Sequence, residues 1–325
     1  MNFVLTAFGV LTGCAVLLHV GVDGIAEYVL LFGLFALWVL HTLQRQGDDM
    51  VQVRDDVRLM DLADLVRGDD NPDTRFYADC ATLCANAYVS SAVHTQFEDE
   101  AAARQGTLRH ETNWQRVEEI PTPSGASIHV EVWRLDTERT LALVVRGSAN
   151  AKLPWMLDLH WLKYLLPGRD QFDELADILP GMLSAIADGP YAGYDIIATG
   201  HGVGGGLAHH AVMLNQRIQR AYVFNSTPFT GSSKLDPVER QDLAADHRVY
   251  RFYDSAWASG RLFRQFSYLL AINVNAAPHC IEHRVNLTKQ AVGIQHQGVH
   301  SIAMGLQRVK EGRFATVGTG GSNIP

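Results

Sequence analysis

The stretch Ile196-Ile197-Ala198-Thr199-Gly200-His201-Gly202-Val203-Gly204-Gly205-Gly206-Leu207-Ala208-His209-His210 decides the fold. It begins as an apolar strand, turns through glycines and continues into a helix of small residues. A strand that breaks into a helix through Gly-x-Ser-x-Gly forms a nucleophile elbow, which lifts a serine hydroxyl clear of the sheet. Here the frame is Gly200-His201-Gly202-Val203-Gly204, and the nucleophile position, Gly202, has no side chain. The same glycines also fit Gly-x-Gly-x-x-Gly, the loop that seats a dinucleotide pyrophosphate. That alternative calls for an acidic residue about 20 positions on, at the end of the next strand. The next strand, Ala221 to Phe224, runs instead into Asn225-Ser226-Thr227-Pro228. The dinucleotide loop is therefore disfavoured.

Outward from the elbow, short apolar strands alternate with helical patterns. Residues 114–117, 127–135 and 140–145 read as strands, with Pro121-Thr122-Pro123-Ser124-Gly125 between the first two. A helix is predicted from Phe172 to Ala187, and another from the elbow to about Arg220. Strands follow at 221–224, 248–253 and 279–287, with a closing helix from His300 to Val309. An earlier helix, capped by Asp73, carries Phe76, Cys80, Leu83, Cys84, Ala87 and Tyr88 at helical spacing. Such alternation implies a mostly parallel sheet covered by helices on both faces.

Four blocks occur in one order: Val144-Val145-Arg146-Gly147-Ser148, Trp155-Met156-Leu157-Asp158-Leu159, the elbow, and Asn225-Ser226-Thr227-Pro228. Together they resemble the class 3 (fungal-type) lipases of the α/β-hydrolase fold, over roughly residues 76–306. The resemblance implies an acyl-ester hydrolase ancestry and a set of site positions. An acyl-transfer site needs donors where the oxyanion will form. Val203, the residue after the nucleophile position, supplies one N–H, and the resemblance implies Ser148 for the other. The triad acid and base follow the nucleophile in that order. His300 is the expected base, with His296 as its neighbour in sequence. Asp254, at the end of a strand, is the expected acid, although the family pattern places it nearer Trp257. The resemblance also implies a lid at residues 159–166. The apolar, arginine-bearing run at residues 261–270 fits contact with lipid, as interfacial helices do.

The chain of 325 residues has 47% hydrophobic and 19% charged residues, as globular proteins do. A net charge of −8 without a basic cluster argues against nucleic acid as a partner. Its 4 cysteines form no zinc or thioredoxin pattern, and no metal or cofactor is expected. Residues 3–22 and 25–43 form two apolar runs, each long enough to cross a ~30 Å hydrocarbon layer. Asp23-Gly24 lies between them, so a transmembrane helical hairpin is expected over residues 1–43. Arg45, Arg54 and Arg58 follow it, which places the rest of the chain on the cytoplasmic side. Residues 44–72 read as a charged, amphipathic linker helix, 73–317 as the hydrolase-like domain and 318–325 as a flexible tail.

Glycine cannot form an acyl-enzyme, so Gly202 points to a lipase-like pseudoenzyme that binds lipid or acyl-ester ligands at a membrane. One alternative is weak ester hydrolysis, through another nucleophile or through water activated by His300. The other is a protein-interaction module that reuses the old pocket.

Overall fold

The computed structural model describes residues 33–34, 37, 59–60, 76–90, 112–120, 127–147, 169–236, 249–254, 280–285 and 299–310. Its strands are β1 (Leu59–Met60), β2 (Gln115–Val117), β3 (His129–Leu135), β4 (Thr140–Arg146), β5 (Asp195–His201), β6 (Ile218–Phe224), β7 (Val249–Asp254) and β8 (Cys280–Val285). They form one eight-stranded sheet in the order β1-β8-β7-β6-β5-β4-β3-β2. From β4 to β8 each strand runs parallel to the last, while β2, β3 and β4 pair antiparallel. The mixed sheet, with a strand-to-helix elbow at its fifth strand, is an α/β-hydrolase arrangement.

The helices are α1 (Tyr77–Ser90), α2 (Gln171–Asp188), α3 (Val203–Leu214) and α4 (Val299–Lys310). Alternation along β4 shows how they share the sheet. Leu141, Leu143 and Val145 pack with α2 and α3, whereas Ala142 and Val144 pack with α1 and α4. All seven residues of β4 are buried, because helices cover both faces. On the α1 side, Tyr77 lies edge-on to Tyr222 at 5.5 Å, and Tyr222 stacks on Tyr250 at 5.2 Å. Helix α2 begins with a capping box: Asp170 Oδ1 accepts the N–H groups of Phe172 and Asp173, and Asp173 Oδ2 accepts that of Asp170. Lys234 then bridges both carboxylates, at 2.9 and 2.7 Å.

Two expectations are corrected. The helix after the elbow stops at Leu214 instead of reaching Arg220. Asn215 ends it, its Oδ1 accepting the Arg217 N–H at 2.9 Å, and the fully buried Ile218 already starts β6. The second concerns the linker. Leu59 and Met60 are not helical there; they pair parallel with Arg284 and Val285 as an edge strand. Unpaired backbone groups on β8 recruit them, which outweighs the helical spacing of the apolar residues. The rest of residues 44–72, and the tail, lie outside the described residues.

Of the two N-terminal apolar runs, only Gly33, Leu34 and Leu37 are described, all helical. Among the described residues no helix is long and apolar enough to cross a membrane. The lid position at residues 159–166 and the run at 261–270 also lie outside them.

Two glycines give opposite expectations. A Cβ on Gly204 would stand 2.2 Å from the Val145 carbonyl oxygen, whereas one on Gly181, inside α2, meets nothing within 4 Å. Gly204→Ala should destabilise the protein by about 2–3 kcal/mol or prevent folding, as overpacking against backbone does. Gly181→Ala should stabilise it by roughly 0.5–1 kcal/mol through helix propensity. Urea unfolding of both variants checks the pair.

Candidate functional site

Gly202 links β5 to α3 with φ 58° and ψ −123°. A side chain strains this backbone, and glycine does not. The turn is held from both ends. The Gly202 N–H donates to Phe224 O at 3.1 Å, and its carbonyl accepts from Thr227 N at 2.9 Å and Gly205 N at 3.1 Å. Among the described residues, a Cβ at Gly202 would meet nothing within 4 Å. Gly200 and Gly204 face each other below it: a Cβ on Gly200 would lie 2.2 Å from the Gly204 carbonyl oxygen. The first turn of α3 therefore rests directly on backbone, and it leaves the N–H groups of Val203 and Gly204 at the edge of the sheet.

His300, the second residue of α4, is brought to this elbow. Its charge is felt by His201, the residue before Gly202. The His201 ring lies edge-on to Tyr88 of α1, centroids 6.2 Å apart, with part of its surface exposed but Nε2 buried. Burial, reinforced by His300, pushes the His201 imidazole down to about 4. Burial also lowers His300. Both rings are thus favoured in the neutral form, which a general base requires. His296 lies outside the described residues.

Asp254 closes β7 and is 3% exposed. The register His201–Phe224–Phe252 places it at the same edge as the elbow, two strands away. Its backbone N–H donates to Asn225 Oδ1 at 2.9 Å, and the Asn225 N–H donates to Phe252 O at 2.8 Å. Ser148 lies outside the described residues. The preceding Gly147 packs against Val203, where a Cβ on Gly147 would come within 2.8 Å of the valine Cγ1.

The structure adds residues that the sequence did not single out for the site. The Arg146 guanidinium lies over the Tyr88 ring at 5.6 Å, next to the His201 ring that Tyr88 contacts. Desolvation lowers Arg146, while Tyr88 and Glu131 draw it back up. Glu131, 2% exposed, accepts from Trp133 Nε1 at 3.0 Å and pairs with Arg116 at 3.4 Å. Beyond Asn225, the Arg251 guanidinium donates to Ser226 Oγ at 3.1 Å and lies over Tyr253 at 5.1 Å. Of these, Arg146, Asn225 and Ser226 carried a sequence signal, as members of the motif blocks. No group of three or more metal-ligating side chains occurs among the described residues.

No protein-family model and no curated protein matches the chain. Among solved structures it is similar to a fungal lipase, with 15% identity over 70% of this chain and 84% of that one, at a TM-score of 0.42. It is also similar to the Lip2 lipase of Yarrowia lipolytica (13% identity, 64% of this chain, 74% of that one, TM-score 0.35). A variant of MDLA from Penicillium cyclopium gives 13% identity over 65% of this chain and 78% of that one, at 0.40. At these scores the fold stands on the strand order and elbow of the chain itself.

The depressed histidine makes a stability test. His201 titrates near 4 in the fold against 6.5 when unfolded, so its contribution is complete above pH 6.5. It is lost as pH falls towards 4, by about 3 kcal/mol at most. His210, also held to about 4 by burial, adds to the same slope. The urea midpoint should fall between pH 6.5 and 4, and His201→Phe should flatten that fall. Equal slopes in wild type and variant would show that His201 is not held neutral.

Proposed function

We propose that this chain is a lipase-like pseudoenzyme, which binds lipid or acyl groups without cleaving them. The observation that carries the reading is Gly202: the elbow backbone is kept, with φ 58° and ψ −123°, and no hydroxyl stands at its tip. Loss of a nucleophilic serine costs on the order of 10⁶ in kcat. What stays at the edge can donate to an acyl carbonyl: the uncapped α3 N–H groups and the N–H of a neutral His300. In this reading Val203 and Ser148 supply the oxyanion donors, His300 the base and Asp254 the acid. The two N-terminal apolar runs form a membrane hairpin that leaves the domain on the cytoplasmic side. A second reading has His300 activate water for slow hydrolysis; the neutral ring beside the elbow favours it.

The wild-type protein should hydrolyse p-nitrophenyl octanoate no faster than its His300→Ala variant. Turnover that falls with His300→Ala would establish the second reading instead. Gly202→Ser has the room, at a backbone strain of roughly 1–3 kcal/mol, and should gain measurable esterase activity and fluorophosphonate labelling. Both should vanish in Gly202→Ser/His300→Ala. A folded, unlabelled Gly202→Ser protein would mean that the site is no longer arranged for acyl transfer.

The anchor has its own check. Full-length protein should stay with membranes through carbonate extraction, whereas a chain starting at Asp48 should be released without detergent. Full-length protein in the soluble fraction would refute the hairpin.

A further inference from the structure

Asn225 has features that the elbow alone does not require. It is 1% exposed, yet its Nδ2 amino group has no acceptor among the described residues. Its backbone is left-handed, with φ 41°, a conformation that asparagine adopts more readily than most residues other than glycine. Its contacts locate it closely. The carbonyl of Phe224, one residue before, accepts the Gly202 N–H at 3.1 Å, and Thr227, two residues after, donates to the Gly202 carbonyl at 2.9 Å. The side-chain oxygen is fixed by the Asp254 N–H at 2.9 Å, which assigns the other end of the carboxamide as the donor. Asn225 therefore stands at the C-terminal edge of the sheet, between the elbow and Asp254. A buried donor without an acceptor is costly in a finished core and is satisfied when a ligand brings an oxygen. Uncapped N–H groups of α3 stand at the same edge.

We propose that Asn225 is a ligand-binding residue, its amino group donating to the carbonyl oxygen of an uncharged acyl ester held over Gly202. The proposal rests on the lipid-binding reading and adds a specificity to it. A free carboxylate fits less well, because the edge is dry, as the burial that lowers His201 and His300 shows, and an unpaired charge there is costly. Asn225 and the side-chain-free Gly202 thus act together: one retains an ester, and the other leaves it intact.

The test is calorimetric titration of the full-length protein with methyl octanoate and with octanoate. Wild type should bind the ester more tightly than the acid. Asn225→Asp keeps an oxygen for the Asp254 N–H but loses the donor, and should weaken ester binding about tenfold. Asn225→Gly suits the left-handed backbone, so it should fold, and should weaken binding by a similar factor. Because Asn225→Asp keeps the hold on the Asp254 backbone N–H while Asn225→Gly releases it, equal weakening in the two separates donation by Asn225 from its hold on Asp254. Ester affinity unchanged in Asn225→Gly or in Asn225→Asp would overturn the role of Asn225 alone. Tighter binding of octanoate would overturn the ester preference. A wild-type protein that binds neither probe would overturn the lipid reading as well.

Discussion

Helix α3 sits on strands β4 and β5 backbone to backbone, with Gly200 and Gly204 at the contact, where any side chain would collide with a carbonyl. The rest of the site depends on this seating. It brings the N-terminus of the helix to the C-terminal edge of the sheet and fixes where Gly202 turns. It also sets Val203 against Gly147, so the end of β4 and the elbow share one edge. Dispersion and burial along Leu207, Ala208 and Ala211 then hold the helix down on its apolar side. The contact has no room to adjust, which is why small residues fill this part of the helix.

The opposite face of the sheet supplies the polar half of the site. Helices α1 and α4 pack together there, and their ends carry Tyr88 and His300 to the His201 ring. The neighbourhood is dry enough to disfavour charge on both imidazoles and on Arg146. Arg146 keeps its place through the Tyr88 ring and the buried Glu131. Such a setting suits an uncharged group better than an unpaired charge. The elbow backbone is held by hydrogen bonds from both ends, and Gly202 leaves no side chain at its tip.

Much of this was legible in the chain. The elbow follows from an apolar run meeting glycines at fixed spacing, because few backbones other than a strand-to-helix turn use that pattern. The strands β3, β4, β5, β7 and β8 and the helices α2 and α4 were legible within a few residues, since buried faces impose their period on the sequence. The sequence also marked His300 and Asp254, as a histidine opening a helix and an acid closing a strand. Less legible were the features that depend on neighbours distant in the chain. Leu59 and Met60 carry a helical pattern and become a strand only because β8 offers an open edge. The helix after the elbow ends early because Asn215 turns the chain and Ile218 is claimed by the core. The neutral form favoured at both His201 and His300, and the left-handed Asn225 between elbow and Asp254, arise where three strands and two helices meet. Local sequence determined which segments could form and where the strand-to-helix turn carries no side chain. Tertiary structure decided which polar groups lost water together, because desolvation and hydrogen-bond satisfaction depend on every group packed nearby.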